Sequence, residues 1–351
     1  MKDVHRSMRT SPGLDSMAIL LALACWASGC DRSQPEPVRE RIDHRSVEDA
    51  IQAADVYVSQ GQLAEALLIC NGILEKAPDQ QAALQMVAEL SQALSRDTDP
   101  DQAGQYMARA LDVRRRLVQL DPDQPRARLE FGIILQQMRM RHEAIEQYRV
   151  CTELDPGSSE ALRLLGHALL QDGQLDQSRE AFMRLGELDP DAPWAWAGLG
   201  QAWMVSGDHD KALELIDRAI EIDPDQRGLR ILRSRVLRKQ SRFKESLEFM
   251  MAFVPEERAD PAATWEIAQA WRGLGQPDKA ADAWAGTHVA NQPDFLSALR
   301  AAKAYQDAGQ LERAGSWLDA AKLDAARTGL PTEEMPLNLE DLSRWTDPSM
   351  Q

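Results

Sequence analysis

The residues of this chain best suited to binding charge stand together in one short stretch, "RGLRILRSRVLRKQ", residues 227–240. It holds six basic side chains, Arg227, Arg230, Arg233, Arg235, Arg238 and Lys239, and no acidic one, in a chain whose formal net charge is −16. Guanidinium forks pair bidentately with carboxylates and phosphates, so the stretch is equipped for anion recognition. On a helix, Leu229, Leu232, Val236 and Leu237 share one arc. Arg227, Arg235 and Arg238 lie opposite it, Arg230 and Lys239 flank it, and Arg233 falls within it. Arg233 must therefore snorkel outward or meet a carboxylate. The acidic balance of the whole chain disfavours nucleic acid, which calls for a broad basic footprint. A membrane-surface role would need the apolar arc free. Three readings stay open: a rib that receives the acidic or C-terminal segment of a protein partner, a rib for an anionic polysaccharide, and a solvated face whose charges are met by acidic neighbours.

No other constellation of side chains suggests catalysis or a cofactor. The chain has no Gly-rich phosphate loop, no His-Glu-x-x-His, no Gly-x-Ser-x-Gly and no paired-cysteine zinc spacing, so neither a cofactor nor a metal is implied. "GLGQAW" (198–203) lacks a third glycine and reads as helix packing. His142 and His209 fall at turns, where solvation is the default. The carboxylates follow helix-stop and helix-start signals ("ELDP", "EIDP", "SGDHD") and read as caps and surface charge. Cys70 and Cys151 occupy apolar-spaced helix positions and read as small core residues.

The elements that must position the basic stretch are helical. The chain is 351 residues long, 44% hydrophobic and only 5% aromatic, and is dominated by the strong helix formers Ala, Leu, Gln, Glu and Arg. Asp-Pro recurs at 155–156, 189–190 and 223–224, a period of 34. On that frame Gly132, Gly166 and Gly200 share the eighth column. Ala144, Ser178 and Ala212 share the twentieth, and Tyr148, Phe182 and Ile216 the twenty-fourth. Each unit holds two amphipathic stretches joined by a Gly/Asp/Gln turn and closed by proline, which disfavours helix in the residue before it. One such pair cannot bury its apolar face alone, so neighbours must stack.

This pattern resembles the tetratricopeptide repeat, and "WAGLGQAWMVSGDHDKALELIDRAIEIDP" (196–224) matches it almost throughout. The resemblance implies an all-α fold, a right-handed α-α superhelix, of eight units: 47–80, 81–124, 125–158, 159–192, 193–226, 227–260, 261–294 and 295–328. Within 81–124, "RDTDPDQAGQ" reads as an insertion at the helix junction. The tail 329–351 is too short for a repeat and is expected to cap the last unit. First helices line the concave groove in this family, which places the basic stretch there. The groove candidates are Arg163 and His167 (fourth unit), Trp194 and Gln201 (fifth), Arg235, Arg238 and Lys239 (sixth), Trp265, Gln269 and Arg272 (seventh) and Lys303 (eighth). Trp196, Trp203, Trp271 and Trp284 fall in packing columns. The Lys/Asn clamp that some family members use for chaperone C-termini is not matched here.

The N-terminal segment reads as an address. Lys2, Arg6 and Arg9 precede an apolar run of 11 residues (17–27), too short to span a bilayer, and then "ASGC". This resembles a bacterial lipoprotein signal peptide (1–29) with lipidation at Cys30, followed by a flexible, proline-interrupted tether (30–46). Such a protein is anchored on the extracytoplasmic side of a membrane, and Asp31 resembles an inner-membrane retention signal. The expected function is a non-catalytic, membrane-tethered scaffold that binds a protein or peptide. The alternative is a cell-envelope polysaccharide-secretion factor reading an anionic glycan with Arg and Trp194/Trp265.

Overall fold

The computed structural model describes residues 47–253, 255–291 and 294–328. The expected leader 1–29, Cys30, the tether 30–46 and the tail 329–351 lie outside the described residues. Among the described residues every regular element is a helix. The chain divides into two compact units between Leu120 and Asp121.

The first unit contains α1 (Val47–Ser59), α2 (Leu63–Lys76), α3 (Gln81–Leu94) and α4 (Pro100–Leu120). The second contains α5 (Pro125–Gln137), α6 (Arg141–Leu154), α7 (Ser159–Gln171), α8 (Leu175–Leu188), α9 (Pro193–Val205) and α10 (His209–Ile222). It continues with α11 (Arg227–Lys239), α12 (Phe243–Met251), the single turn α13 (Pro255–Arg258), α14 (Pro261–Gly273), α15 (Pro277–Ala290), α16 (Phe295–Asp307) and α17 (Leu311–Arg327). Successive helices pack side by side within each unit, one helix pair to each expected repeat. The fold is the all-α repeat solenoid that the 34-residue period implies.

Local chemistry sets the helix ends. The side chains of Ser158, Asp208, Asp260 and Asp294 accept hydrogen bonds from the first-turn N–H groups of α7, α10, α14 and α16. Proline opens α5, α9, α14 and α15, where no N–H is needed. The turn between the helices of a pair needs one left-handed residue, supplied by Gly173 (φ 78°) and Gly207 (φ 91°) in the fourth and fifth repeats. Arg139 (φ 62°) and Ser241 (φ 61°) take that place in the third and sixth, at the conformational cost a side chain brings.

Packing follows the eighth and twenty-fourth columns. The Tyr148 ring lies against Gly132, and a Cβ there would fall 2.5 Å from its Cε1. Phe182 is held between Gly166 of its own repeat and Gly198 of the next, where added Cβ atoms would fall 2.8 Å and 2.3 Å from the ring. Ile216 covers Gly200 in the same way, at 2.8 Å. Tyr148, Phe182 and Ile216 are fully buried. The Tyr148 hydroxyl keeps a partner by donating to Gln136 Oε1 at 2.9 Å.

Two places depart from the regular plan. The insertion expected as a junction is instead largely helical: Pro100 starts α4, which runs for 21 residues. Gln102, Ala103 and Gln105 lend the inserted stretch enough helix propensity to extend the second helix backwards. In the sixth repeat α12 has only 9 residues, against 14 for α8 and α10, and α13 follows as a single turn. Pro255 prevents α12 from continuing.

Substituting Gly198 with Ala should lower unfolding free energy by about 1–3 kcal/mol, because the Phe182 ring has to move out of a filled site. Gly157→Ala, where a Cβ would meet only Asp155 Oδ1 at 3.6 Å, should be close to neutral. Urea denaturation of both variants measures the difference.

Candidate functional site

The basic helix α11 carries its charges in pairs. Arg227 approaches Asp260 at 3.3 Å and Arg230 bonds Glu257. Arg233, the residue inside the apolar arc, finds Asp217 at 2.7 Å and lays its guanidinium over Phe249 at 4.6 Å. The groove-facing candidates Arg235 and Arg238 both donate to one carboxylate. Arg235 Nε reaches Glu266 Oε1 at 2.7 Å and Arg238 Nε reaches Oε2 at 2.9 Å. Glu266 itself has no exposed surface. A carboxylate this deep is tolerable only when charge-assisted hydrogen bonds replace its water, and here two guanidiniums supply them. Either arginine turning to a ligand would leave this buried carboxylate with one charge-assisted hydrogen bond in place of two. Lys239 is exposed and makes no ion pair with the described residues.

The fourth and fifth repeats present a different surface. Arg163 and His167 stand one turn apart on α7, while Trp194 and Gln201 stand on α9. Trp194 is 42% exposed. His167 packs edge-on against Phe182, ring centres 5.0 Å apart. Burial, reinforced by the charge of Arg163, pushes its pKa below the ordinary 6.5 and favours the neutral ring. His142 is exposed as expected, whereas His209 is half-buried, its Nδ1 without a hydrogen-bond partner among the described residues.

The remaining four candidates converge. Trp265, Gln269 and Arg272 of α14, Trp284 of α15, and Arg300 and Lys303 of α16 line a narrow cleft of about 40 Å³ together with three alanines. Trp265 and Trp284 meet edge to face, centroids 6.3 Å apart. Asp307 holds two of the cations, Arg272 at 3.0 Å and Lys303 at 2.7 Å. The Arg300 guanidinium lies 4.9 Å from the Trp284 ring centre and 5.9 Å from that of Trp265. Burial lowers its pKa, and the field of Asp294 opposes that shift.

Three residues of this surface escape a reading by column: Glu266, Trp284 as a cleft wall, and Arg300. A usable signal exists, since Glu266 and Arg300 occupy the sixth column of consecutive repeats, where Leu164, Gly198 and Leu232 stand in the three before. A charge in that column marks a specific pairing or a ligand.

Elsewhere the reactive residue types are placed for structure. Cys70 and Cys151 are buried free thiols, and desolvation raises the first to about 12 and the second in the same direction, the opposite of a nucleophile. His288 Nε2 meets Asp324 Oδ2 at 2.7 Å, both buried, beside Trp317. Among the described residues no group of three His, Cys, Asp or Glu could hold a metal, and no helix is long and apolar enough to cross a membrane.

The fold and the repeat columns define the class, and comparison with known proteins agrees. A tetratricopeptide-repeat family model matches residues 129–193 and 163–227. A tetratricopeptide-repeat protein from Parabacteroides merdae superposes with a TM-score of 0.54 at 14% identity, over 87% of this chain and 98% of its own. Part of a repeat protein from Cytophaga hutchinsonii gives 0.49 at 16% identity, over 70% and 97%. YrrB, described as having an unusual peptide-binding site, gives 0.45 at 21% identity, over 54% and 94%. No curated protein matches the sequence significantly. Residues 129–227 thus match the tetratricopeptide-repeat family, and the helix pairs of the described residues build the fold of such repeats.

Replacing Glu266 with Gln should cost about 1–3 kcal/mol of stability, since two partly buried guanidiniums lose their shared counter-charge while keeping some access to water. Chemical denaturation reads it. His167 adds a pH dependence of definite sign: its folded pKa lies below the unfolded 6.5, so acidification through 6.5 charges the unfolded chain first and removes stability. A His167→Gln variant should therefore lose less melting temperature than the parent between about pH 7.5 and about pH 5.

Proposed function

We propose that this protein is a non-catalytic scaffold, tethered to a bacterial membrane through Cys30, that holds a protein or peptide partner on the first-helix face of its second unit. The observation that carries the reading is the cleft of Trp265, Trp284, Arg272, Arg300 and Lys303, in which aromatic surface and cations converge at one place on that face. Aromatic and Arg anchors are what peptide and protein interfaces are built around. The cationic lining favours a partner segment that is acidic. Tetratricopeptide repeats serve as protein-binding scaffolds, and the described residues offer no nucleophile, base or metal cluster that would direct the reading to an enzyme. Support for the anchor comes from the sequence alone: a basic start, a short apolar run and small residues before Cys30.

Affinity capture from detergent-solubilised membranes tests the scaffold, comparing the full chain with a Trp265→Ala/Arg272→Glu variant. The parent should retain a partner that the variant loses; equal retention, or no partner for either, overturns the assignment. Cys30→Ser should shift the protein from the membrane fraction to the soluble fraction, and an unchanged distribution would rule out that anchor.

A further inference from the structure

A second concavity opens on the other side of α14 from the cleft. Where α14 turns Trp265, Gln269 and Arg272 to the cleft, it turns Thr264, Ile267 and Trp271 to a groove of about 500 Å³. Small residues of α15, Ala283, Gly286 and Ala290, wall its far side. The groove follows from the short α12. A second helix of nine residues, against 14 in α8 and α10, stops about 7.5 Å early, and Met251 is left exposed at its end. Nothing fills the space from the α15 side, since a Cβ on Gly286 would meet no atom within 4 Å. The polar atoms of the floor call for no outside partner. The Thr264 and Thr287 hydroxyls bond each other and the carbonyls of Arg258 and Ala283. Two cations edge the groove, Arg258 of α13 and Lys279 of α15, and neither forms an ion pair among the described residues. Asp282, the single carboxylate of the lining, accepts from the Tyr305 hydroxyl at 2.6 Å. An occupant should therefore be apolar on one side and acidic at its flanks.

We propose that the groove receives the chain's own segment 337–346, which lies outside the described residues, folded back across α15. The spacing of that segment fits: on a helix Leu339, Leu342 and Trp345 share one arc, and Glu340 and Asp341 fall outside it. Its charge fits too, because residues 329–351 carry Glu333, Glu334, Glu340, Asp341 and Asp347 against the single base Arg344. Reach decides the source. Asp324, near the end of α17, bonds His288 of α15, whose neighbour Thr287 lines the groove. The chain thus leaves α17 beside α15 and has one helix, about 10 Å across, to pass. The 11 residues from Thr328 to Leu339 can extend to about 36 Å. A segment tethered this closely meets its seat at an effective concentration on the order of millimolar, which a second copy or a separate protein would have to match. So placed, the segment supplies the sixth repeat with the helical turns that α12 lacks, in place of capping the eighth.

Photocrosslinking of the full chain tests this, with benzoylphenylalanine incorporated in place of Met251 or, separately, of the exposed Leu323 on α17. Irradiation at position 251 should give intramolecular crosslinks that peptide mass spectrometry maps to residues 337–346. Leu339→Asp/Leu342→Asp should lower their yield by about tenfold or more, because a carboxylate in an apolar seat is left without partners. Arg258→Glu/Lys279→Glu should lower it less, and the difference from the parent should shrink as salt rises. Melting curves verify that the variants are folded, and the charge pair carries the test if the leucine pair does not fold. Crosslinks to 337–346 from position 323 and none from position 251 would show the segment capping the last repeat, and would overturn the proposal. Products of dimer size, crosslinks to another protein, no crosslink at position 251, or a yield indifferent to both pairs of substitutions would overturn it as well. The leucine pair leaves Trp265 and Arg272 in place, so this proposal and the scaffold reading fail separately.

Discussion

The third to fifth repeats depend on a close approach: a bulky side chain of the second helix pressed onto a glycine of a first helix. Tyr148 on Gly132, Phe182 between Gly166 and Gly198, and Ile216 on Gly200 are the clearest instances. The Phe182 contact matters most because it spans two repeats, so the same ring closes its own helix pair and seats the next one. In a solenoid, stability is the sum of such pair and neighbour contributions, with no central core to fall back on. The first-helix face inherits its geometry from this packing. Trp265, Arg272, Arg300 and Lys303 share a cleft because α14, α15 and α16 are spaced by alanines that bring the helices together.

On that frame, charge distribution distinguishes one repeat from another. The acidic chain holds a strongly basic helix in place by surrounding it with carboxylates from α10, α13 and α14. Exposed pairs of this kind contribute little each, whereas the Glu266 bridge, with no access to water at the acceptor, is costly to break. The excess of positive charge in α11 therefore serves the stacking of repeats.

Much of the fold was legible because its determinants are local and periodic. The 34-residue spacing of Asp-Pro, the eighth-column glycines and the turn glycines each act over a few residues, so helix positions follow from the sequence directly. The extension of α4 and the shortening of α12 were less legible, since both turn on how far a helix runs past its last repeat contact. The candidate site was legible in part. Column positions put Trp265, Gln269, Arg272 and Lys303 on one face, and in the structure they line one cleft. What column counting could not supply was which cations are already paired. Glu266 takes both its partners, and Asp307 one of its two, from another helix, and such pairings depend on rotamers and distances across the stack. Arg233 shows the same limit: the helical wheel places it among leucines, and only Asp217 on the preceding helix makes that position tenable.

The bridge at Glu266 has a consequence for how this array is assembled. Repeats of one family are often treated as interchangeable beads, each able to sit beside any other. Here the sixth bead carries the two guanidiniums and the seventh the buried acid, so the joint is keyed. A sixth repeat placed beside any neighbour lacking that acid would bring two stranded cations to the seam, and the seventh placed elsewhere would bury a bare carboxylate. The order of these two modules is thus written into the charge of their contact, and they can be duplicated, moved or lost only together.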